Sequence, residues 1–294
     1  MTSLRLPKLH GLENDFLIHD LRHGGRALTL EETVRILHRR RGVGADGILA
    51  LHPPSSSAPS AAAKMVVHNS DGSIAEMCGN GIRCAAKYLA DLESGGANGN
   101  VNGHVRTALD IETGAGLLTC RLTRGVDGLV TEVEVEMGRA HLSTPNLPPA
   151  PFVDAPIPGQ AELRGTAISM GNPHLVLSAS KLEDVERLGP VLEHHALFPT
   201  GANVEFVEPL RDEQGLRVNV WERGSGFTRA CGTGACAAAA TWVLRGLLPA
   251  ETWLPVDLPG GRLHIRVADD LSRVRMRGPA VHAFDAIVPL PLDG

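Results

Sequence analysis

The chain has 294 residues, a hydrophobic fraction of 43%, a charged fraction of 21% and a formal net charge of -5. Such values are typical of a globular protein that buries a core, and the length favours two domains. The negative charge, without a dense basic run, argues against nucleic acid as a partner. No apolar stretch is long enough for a signal peptide or a membrane span, so we expect a cytoplasmic protein with no membrane partner.

The first clear element is a helix in "TLEETVRILHRRRG", residues 29–42. Thr29 and Glu32 have the spacing of a capping box, which satisfies backbone N–H groups at a helix start. Gly42 is placed to end the helix, and the basic residues before it suit the negative end of the helix dipole.

Loops and strands follow. Segments rich in glycine, serine and alanine predict loops at 53–63 and 93–103. Strict alternation in "TEVEVEM" predicts a half-buried strand at 131–137. In the second half, "SKLEDVERLGPVLEHH" favours a helix that has Ser180 in a capping box and is interrupted by Pro190.

Two segments place a cysteine in matching surroundings. "HNSDGSIAEMCGNGIRCAAKYL" contains Cys78 and "ERGSGFTRACGTGACAAAATWVL" contains Cys231, each in a Cys-Gly-Xaa-Gly turn before an alanine-rich run that favours a helix. The repeat predicts two similar α+β domains that face each other across a cleft, with the junction near Gly138. Pseudo-symmetry would then bring the two thiols to opposite walls.

Such a pair suits a particular chemistry. A cysteine at a helix start is expected to have its pKa lowered from about 8.5 by the unpaired backbone N–H groups. The same N–H groups can hold a carboxylate. One sulfur would remove a proton from one face of the adjacent carbon while the other delivers a proton to the opposite face, as a two-base racemase or epimerase requires. A disulfide between them is the alternative, although in the cytosol it would be damage.

The other cysteines suggest no further site. Cys84, Cys120 and Cys236 are expected to be small buried apolar side chains. The five cysteines include no CxxC pair and no Cys/His spacing for zinc, so we predict neither a disulfide scaffold nor a metal site.

Seven segments, in order, carry a resemblance to the diaminopimelate epimerase family: "HGLENDF", "RGVGADG", "NSDGSIAEMCGNGIRC", "MGNPH", "GANVEFV", "WERGSGFTRACGTGACAAA" and "VDLPGG". The resemblance implies a cofactor-independent enzyme that interconverts LL- and meso-2,6-diaminopimelate in lysine and peptidoglycan precursor biosynthesis. It also implies a fold of two pseudo-symmetric α+β domains, each a curved, mostly antiparallel sheet around a central helix. The domains would be 1–138, joined by a strand at 278–294, and 139–277.

The resemblance also implies roles for residues. Cys78 and Cys231 would be the acid/base thiols, and His174 and Glu222 would assist their proton exchange. The residues expected to contact the substrate are Asn14, Asn69, Gly79, Asn80, Asn172, Asn203, Glu222, Arg223, Gly232 and Thr233. Two positions depart from the family pattern: Glu13 stands where glycine is usual, and Phe227 where an acidic residue is frequent.

Two alternatives remain open. One is another cofactor-independent amino-acid racemase, such as a proline or hydroxyproline racemase or epimerase. The other is a non-catalytic amino-acid-binding or thiol-redox protein on the same scaffold. Glu222 and Arg223 favour diaminopimelate, because a mono-amino acid has no distal group for them to hold. The sequence does not set the oligomeric state, and a homodimer is kept as an option.

Overall fold

The computed structural model describes residues 2–75, 78–94, 106–178 and 181–290. The chain divides into two compact units: unit 1 comprises residues 1–135 and 278–294, and unit 2 comprises residues 136–277. Within the described ranges, no helix is both long and apolar enough to span a bilayer.

Unit 1 contains helices α1 (Leu30–Leu37) and α2 (Gly79–Glu93). Its strands are β1 (Thr2–Gly11), β2 (Asn14–Asp20), β3 (Gly47–His52), β4 (Ala63–Asn69), β5 (Ile74–Ala75), β6 (Ala108–Thr113), β7 (Gly116–Arg124), most of β8 (Val130–Gly138) and, from the C-terminal part of the chain, β18 (Val281–Leu290).

Unit 2 contains helices α3 (Val185–Glu193) and α4 (Gly232–Leu244), and a short 3-10 turn at Leu182–Asp184 precedes α3. Its strands are β9 (Ala155–Ile157), β10 (Gln160–Ser169), β11 (Pro173–Ser178), β12 (Asn203–Pro209), β13 (Leu216–Glu222), β14 (Gly226–Thr228), β15 (Leu254–Leu258), β16 (Gly261–Val267) and most of β17 (Val274–Pro279).

Strand pairing inside each unit follows one scheme. In unit 1, β1–β2, β3–β4, β4–β5, β6–β7 and β7–β8 are antiparallel, whereas β2–β3 and β4–β6 are parallel. In unit 2, β10–β11, β12–β13, β13–β14, β15–β16 and β16–β17 are antiparallel, whereas β11–β12 and β13–β15 are parallel. The shared scheme confirms the predicted internal repeat and the α+β class.

A buried helix lies inside each sheet. Helix α2 contacts β1 to β4, β6, β7 and β18, and α4 contacts β10 to β13, β15 and β16. All residues of α4 from Gly232 to Thr241 are buried. Helix α4 is apolar on every side, which suits full enclosure, and its alanines let the strands approach closely. The predicted sheet around a central helix is confirmed in each unit.

Helix α1 begins as predicted but ends earlier. Thr29 Oγ1 accepts the backbone N–H of Glu32, whose carboxylate accepts the N–H of Thr29, which completes the capping box. The predicted end at Gly42 is wrong, because the helix stops at Leu37. His38 has an extended backbone, and its Nδ1 accepts the N–H groups of Arg40 and Arg41, which turns the chain out of the helix.

The remaining local predictions agree with the structure where it describes them. Strand β8 alternates between buried and more exposed side chains, and the chain between β3 and β4 is a loop. The predicted interruption at Pro190 is the exception and is wrong, because Pro190 lies inside α3 without ending it. Ser180 and most of the predicted loop at 93–103 lie outside the described residues.

Candidate active site

Cys78 is the N-cap of α2. Its backbone is extended (φ -136°, ψ 115°), and its Sγ accepts the backbone N–H of Gly81 at 3.4 Å. A side chain that caps a helix in this way lies against the unpaired N–H groups of the first turn. The thiol is half-buried, so one side of it remains accessible.

Cys231 is the N-cap of α4 with nearly the same geometry. Its φ and ψ are -124° and 110°, and its Sγ accepts the N–H of Gly234 at 3.4 Å. Unlike Cys78, it is buried. The two Cys-Gly-Xaa-Gly motifs therefore build the same local structure, which explains why the chain carries the pattern twice.

The third residue after the capping cysteine is glycine in both units. A Cβ at Gly81 would lie 3.0 Å from Leu49 Cδ2, and a Cβ at Gly234 would lie 3.0 Å from Glu205 Oε1. A larger residue at either position would require the neighbouring side chain of the sheet to shift.

Amide side chains surround Cys78. Asn14 Oδ1 accepts a hydrogen bond from Asn80 Nδ2 at 3.1 Å and from the Cys78 thiol at 3.8 Å. Asn14 Nδ2 donates to Asp46 Oδ2 at 2.7 Å, which fixes the orientation of the amide. The structure thus brings together three of the predicted site residues of unit 1, and Asp46 is a supporting residue that the sequence did not suggest.

Two further predicted residues of unit 1 lie nearby in the fold. Gly79 is the first residue of α2. Asn69 ends β4, and its Nδ2 donates to Ser73 Oγ at 3.0 Å, within the turn that precedes β5.

Arg83 is a fully buried cation one turn into α2. Its guanidinium donates to Asn80 Oδ1 (2.9 Å), Gly79 O (3.0 Å) and Pro279 O (3.3 Å). It therefore fixes the Asn80 side chain and joins the helix start to the C-terminal segment of unit 1. The sequence did not suggest this role, because the acceptors of Arg83 are two backbone carbonyls and an amide oxygen, which no sequence pattern marks.

In unit 2, carboxyl groups take the place of the amides. Glu222, at the end of β13, accepts a hydrogen bond from Thr228 Oγ1. Burial raises the pKa of Glu222, and hydrogen bonding lowers it in part. A carboxyl group with a raised pKa beside a thiol is suited to exchanging a proton with it.

The expectation of a lowered pKa is wrong for Cys231. Burial raises its pKa well above the ordinary value, and the nearby Glu222 and Glu205 raise it further. Hydrogen bonds from Thr233 and from the Gly234 amide lower it, but they do not outweigh the loss of water. The raised pKa favours the protonated thiol of Cys231 over the thiolate.

A chain of hydrogen bonds runs behind Cys231. Thr233 Oγ1 lies 3.5 Å from Cys231 Sγ and accepts from Asn172 Nδ2, also at 3.5 Å. Asn172 Oδ1 lies 3.0 Å from His174 Nε2, and His174 Nδ1 lies 2.6 Å from Glu205 Oε1. Four predicted residues are thus joined (Cys231, Thr233, Asn172 and His174), and Glu205 was missed.

Glu205 could have been found from the pattern of its strand. In "NVEFV" it lies two residues after Asn203, so the two side chains share a face of β12. A carboxylate on the buried face of a strand is itself a signal of function.

Asn203 and Arg223 form a separate contact. Asn203 Oδ1 accepts the backbone N–H of Arg223 at 3.0 Å, and Asn203 Nδ2 donates to Pro173 O at 3.2 Å. The Arg223 guanidinium is exposed and donates to the carbonyl of Thr200 at 3.1 Å. Gly232, the first residue of α4, completes the predicted set in unit 2.

The two departures from the family pattern have local consequences. Glu13 has φ 63°, in the left-handed region where glycine is favoured, and the preceding Leu12 has φ 55°. Non-glycine residues pay roughly 1–2 kcal/mol for this conformation. Phe227 lies on β14 opposite Trp221 and is partly exposed.

All five cysteines lie in the described ranges and are thiols. Within these ranges no group of three or more His, Cys, Asp or Glu side chains is arranged to hold a metal ion.

Comparison with known proteins identifies the family. The family model described as diaminopimelate epimerase matches residues 7–143 and 166–283. The chain is 41% identical over 298 aligned residues to the diaminopimelate epimerase of Synechococcus elongatus, covering 98% of this chain and 99% of the relative. It is 42% identical to that of Moorella thermoacetica, covering 96% and 98%.

A solved structure shows the same fold at low identity. A hydroxyproline epimerase from Agrobacterium vitis, determined with bound trans-4-hydroxy-L-proline, matches with a TM-score of 0.69 and 16% identity, over 98% of this chain and 91% of that one. At this identity the likeness concerns the fold alone. The family model and the two relatives go further, and they show that the chain belongs to the diaminopimelate epimerase family.

Proposed function

We propose that the chain interconverts LL- and meso-2,6-diaminopimelate by two-base proton transfer at the α-carbon, with Cys78 and Cys231 as the two bases. The observation that carries the proposal is the matched pair of thiols, each the N-cap of a buried helix and each accepting the amide of the third following residue at 3.4 Å. Family membership supports an isomerase of this class.

The chemistry needs a sulfur on each face of one carbon. The thiolate form of one cysteine takes the α-proton, and the thiol of the other donates a proton to the opposite face, so the configuration inverts. The raised pKa of Cys231 supports its role as the donor, and Glu222, whose charge acts on the Cys231 thiol, is proposed to return its proton. His174 is proposed as the second auxiliary group.

Recognition of the substrate needs many short, oriented polar groups, since diaminopimelate carries two ammonium and two carboxylate groups. The backbone N–H groups after each cysteine, from Gly79 and Asn80 and from Gly232 and Thr233, are suited to the carboxylate at the reacting centre. Asn14, Asn69, Asn172 and Asn203 are proposed to contact these groups through their side-chain amides. Arg223 and Glu222 are proposed to hold the distal amino-acid group.

A single assay separates the proposal from its main alternative. The purified protein is incubated, without any added cofactor, with LL-diaminopimelate or with L-proline, and the stereoisomers are resolved by chromatography. We expect meso-diaminopimelate to form and L-proline to remain unchanged. Racemisation of L-proline alone would favour a proline racemase, and no turnover of either would favour a binding protein.

The setting of the reaction is proposed from the sequence. We propose a cytoplasmic enzyme that uses neither a metal nor an organic cofactor, with domains at 1–138 plus 278–294 and at 139–277. We also propose a homodimer, which the exposed apolar side chains Val281, Phe284 and Ile287 on β18 support. Sedimentation equilibrium would show the mass of a single chain if the dimer is wrong.

A further inference from the structure

A buried carboxyl–imidazole pair lies beneath the start of α4. Glu205 Oε1 and His174 Nδ1 are 2.6 Å apart, and both side chains are fully buried. The same oxygen would lie 3.0 Å from a Cβ at Gly234, so the carboxyl group touches the first turn of the helix. Its second oxygen is buried and has no hydrogen-bond partner among the described residues.

The fold itself does not need this pair, as unit 1 shows. By strand register, Phe16 on β2 corresponds to His174 on β11, because each faces the first residue of the next parallel strand. Two residues along that strand lie Leu49 in unit 1 and Glu205 in unit 2. Leu49 and Glu205 occupy the same place beside the helix start, because each would lie 3.0 Å from a Cβ built at Gly81 or Gly234, respectively. Apolar side chains can therefore fill this space beside the helix start, and the polar pair of unit 2 serves another purpose.

The number of protons on the Glu205–His174 pair can be inferred from its hydrogen bonds. Asn172 Nδ2 donates to Thr233 Oγ1, so Asn172 Oδ1 faces His174 Nε2 and accepts from it at 3.0 Å. We therefore assign a proton to His174 Nε2. The 2.6 Å contact between His174 Nδ1 and Glu205 Oε1 requires a second proton between those atoms.

With two protons the pair is neutral overall, which is the form that full burial favours. The titratable groups that face it are Glu222 on β13 and Cys231 before α4. Neither is a cation that could balance a net negative pair. Burial also raises the pKa of Glu205, which is consistent with a proton held at this position.

We propose that Glu205 is a positioning residue of the active site: it holds the second proton of the pair, keeps His174 Nε2–H directed at Asn172 Oδ1, and so leaves Asn172 as a hydrogen-bond donor to the substrate. Because its oxygen is occupied, Asn172 can present only its NH₂ group, which matches a carboxylate. The inference rests on the proposed function, in which Asn172 contacts the substrate.

The first test does not depend on activity. The ¹⁵N NMR signals of His174 are compared in the wild type and in Glu205→Leu, which places in unit 2 the residue type that unit 1 has at the equivalent position. We expect the Nδ1 signal of the wild type to lie away from the position of a bare, unprotonated ring nitrogen, and that of Glu205→Leu to lie at it. Identical signals in both proteins would overturn the proposal.

The second test is a double-mutant cycle on kcat/KM. Glu205→Leu is expected to lower kcat/KM by about 10- to 100-fold. The double variant Glu205→Leu/His174→Phe, which copies the apolar pair of unit 1, should be no less active than His174→Phe alone, because Glu205 acts through His174. Additive losses would contradict the proposal, as would full activity of Glu205→Leu.

Two variants guard against a loss of folding. Glu205→Gln keeps a hydrogen-bonding group against His174 and is expected to retain kcat/KM within about threefold to tenfold. Glu208→Leu makes the same substitution on the same strand, away from the pair, and should change neither the NMR signals nor kcat/KM. If the wild type turns over no diaminopimelate, the proposed function fails, whereas the NMR comparison still decides the role of Glu205.

Discussion

Replacing either Cys78 or Cys231 by serine is expected to lower kcat for epimerisation by about 10²- to 10⁴-fold, the usual contribution of an acid or base in direct contact with the substrate. Serine keeps the size and a hydrogen-bonding group, but its hydroxyl is a far weaker acid than a thiol. The loss should appear in both directions of the reaction, because each group serves as base in one direction and as acid in the other. Chiral chromatography of both isomers measures it.

The control is Cys120→Ala, which removes a buried thiol on β7. Cys120 is fully buried and is not one of the proposed site residues, so kcat should not change. Full activity in both serine variants would eliminate the two-thiol mechanism, and a loss in only one of them would reduce it to a single base.

Replacing Arg83 by methionine is expected to destabilise unit 1 by about 3 kcal/mol or more, since it removes three hydrogen bonds made by a buried cation. The carbonyls of Gly79 and Pro279 and the side-chain oxygen of Asn80 would each lose one hydrogen bond. Amide hydrogen exchange in α2 measures the change. The three tryptophans, Trp221, Trp242 and Trp253, all lie in unit 2, so their fluorescence during urea unfolding follows the other unit.

Two further substitutions calibrate this result. Arg83→Lys keeps the charge but not the planar array of donors, so its cost should be intermediate. Arg121→Met removes an exposed arginine from β7 and is expected to change stability by less than about 0.5 kcal/mol. If α2 exchanged equally slowly in Arg83→Met and the wild type, the buried guanidinium would have no structural role.

The features that could be predicted are those that local sequence determines. The Cys-Gly-Xaa-Gly turns indicated both helix starts. Glycine suits these turns because a Cβ at Gly81 or Gly234 would lie only 3.0 Å from a side chain of the sheet. The capping box at Thr29 was also local, and it was right. The end of α1 was predicted wrongly, since the side chain of His38 accepts backbone N–H groups and ends the helix earlier.

What could not be predicted depends on contacts between distant parts of the chain. The contact of Glu205 with His174 follows from the parallel register of β11 and β12, which are separated in sequence by α3. The raised pKa of Cys231 has the same origin, because a local rule lowers the pKa of a helix N-cap thiol while burial beside two carboxyl groups raises it. The role of Arg83 likewise depends on a distant segment, because Pro279, whose carbonyl it binds, lies beside α2 only in the folded chain.

The labelling pattern in D₂O tests the two-base mechanism most directly. LL-diaminopimelate is incubated with the enzyme to low conversion, and the deuterium content of each isomer is measured by mass spectrometry. We predict that the meso product carries one solvent deuterium at the inverted carbon while the recovered LL isomer remains unlabelled, since one thiol removes the proton and the other supplies the deuteron. Product that retains the original proton, or recovered substrate labelled as fast as the product, would contradict the account.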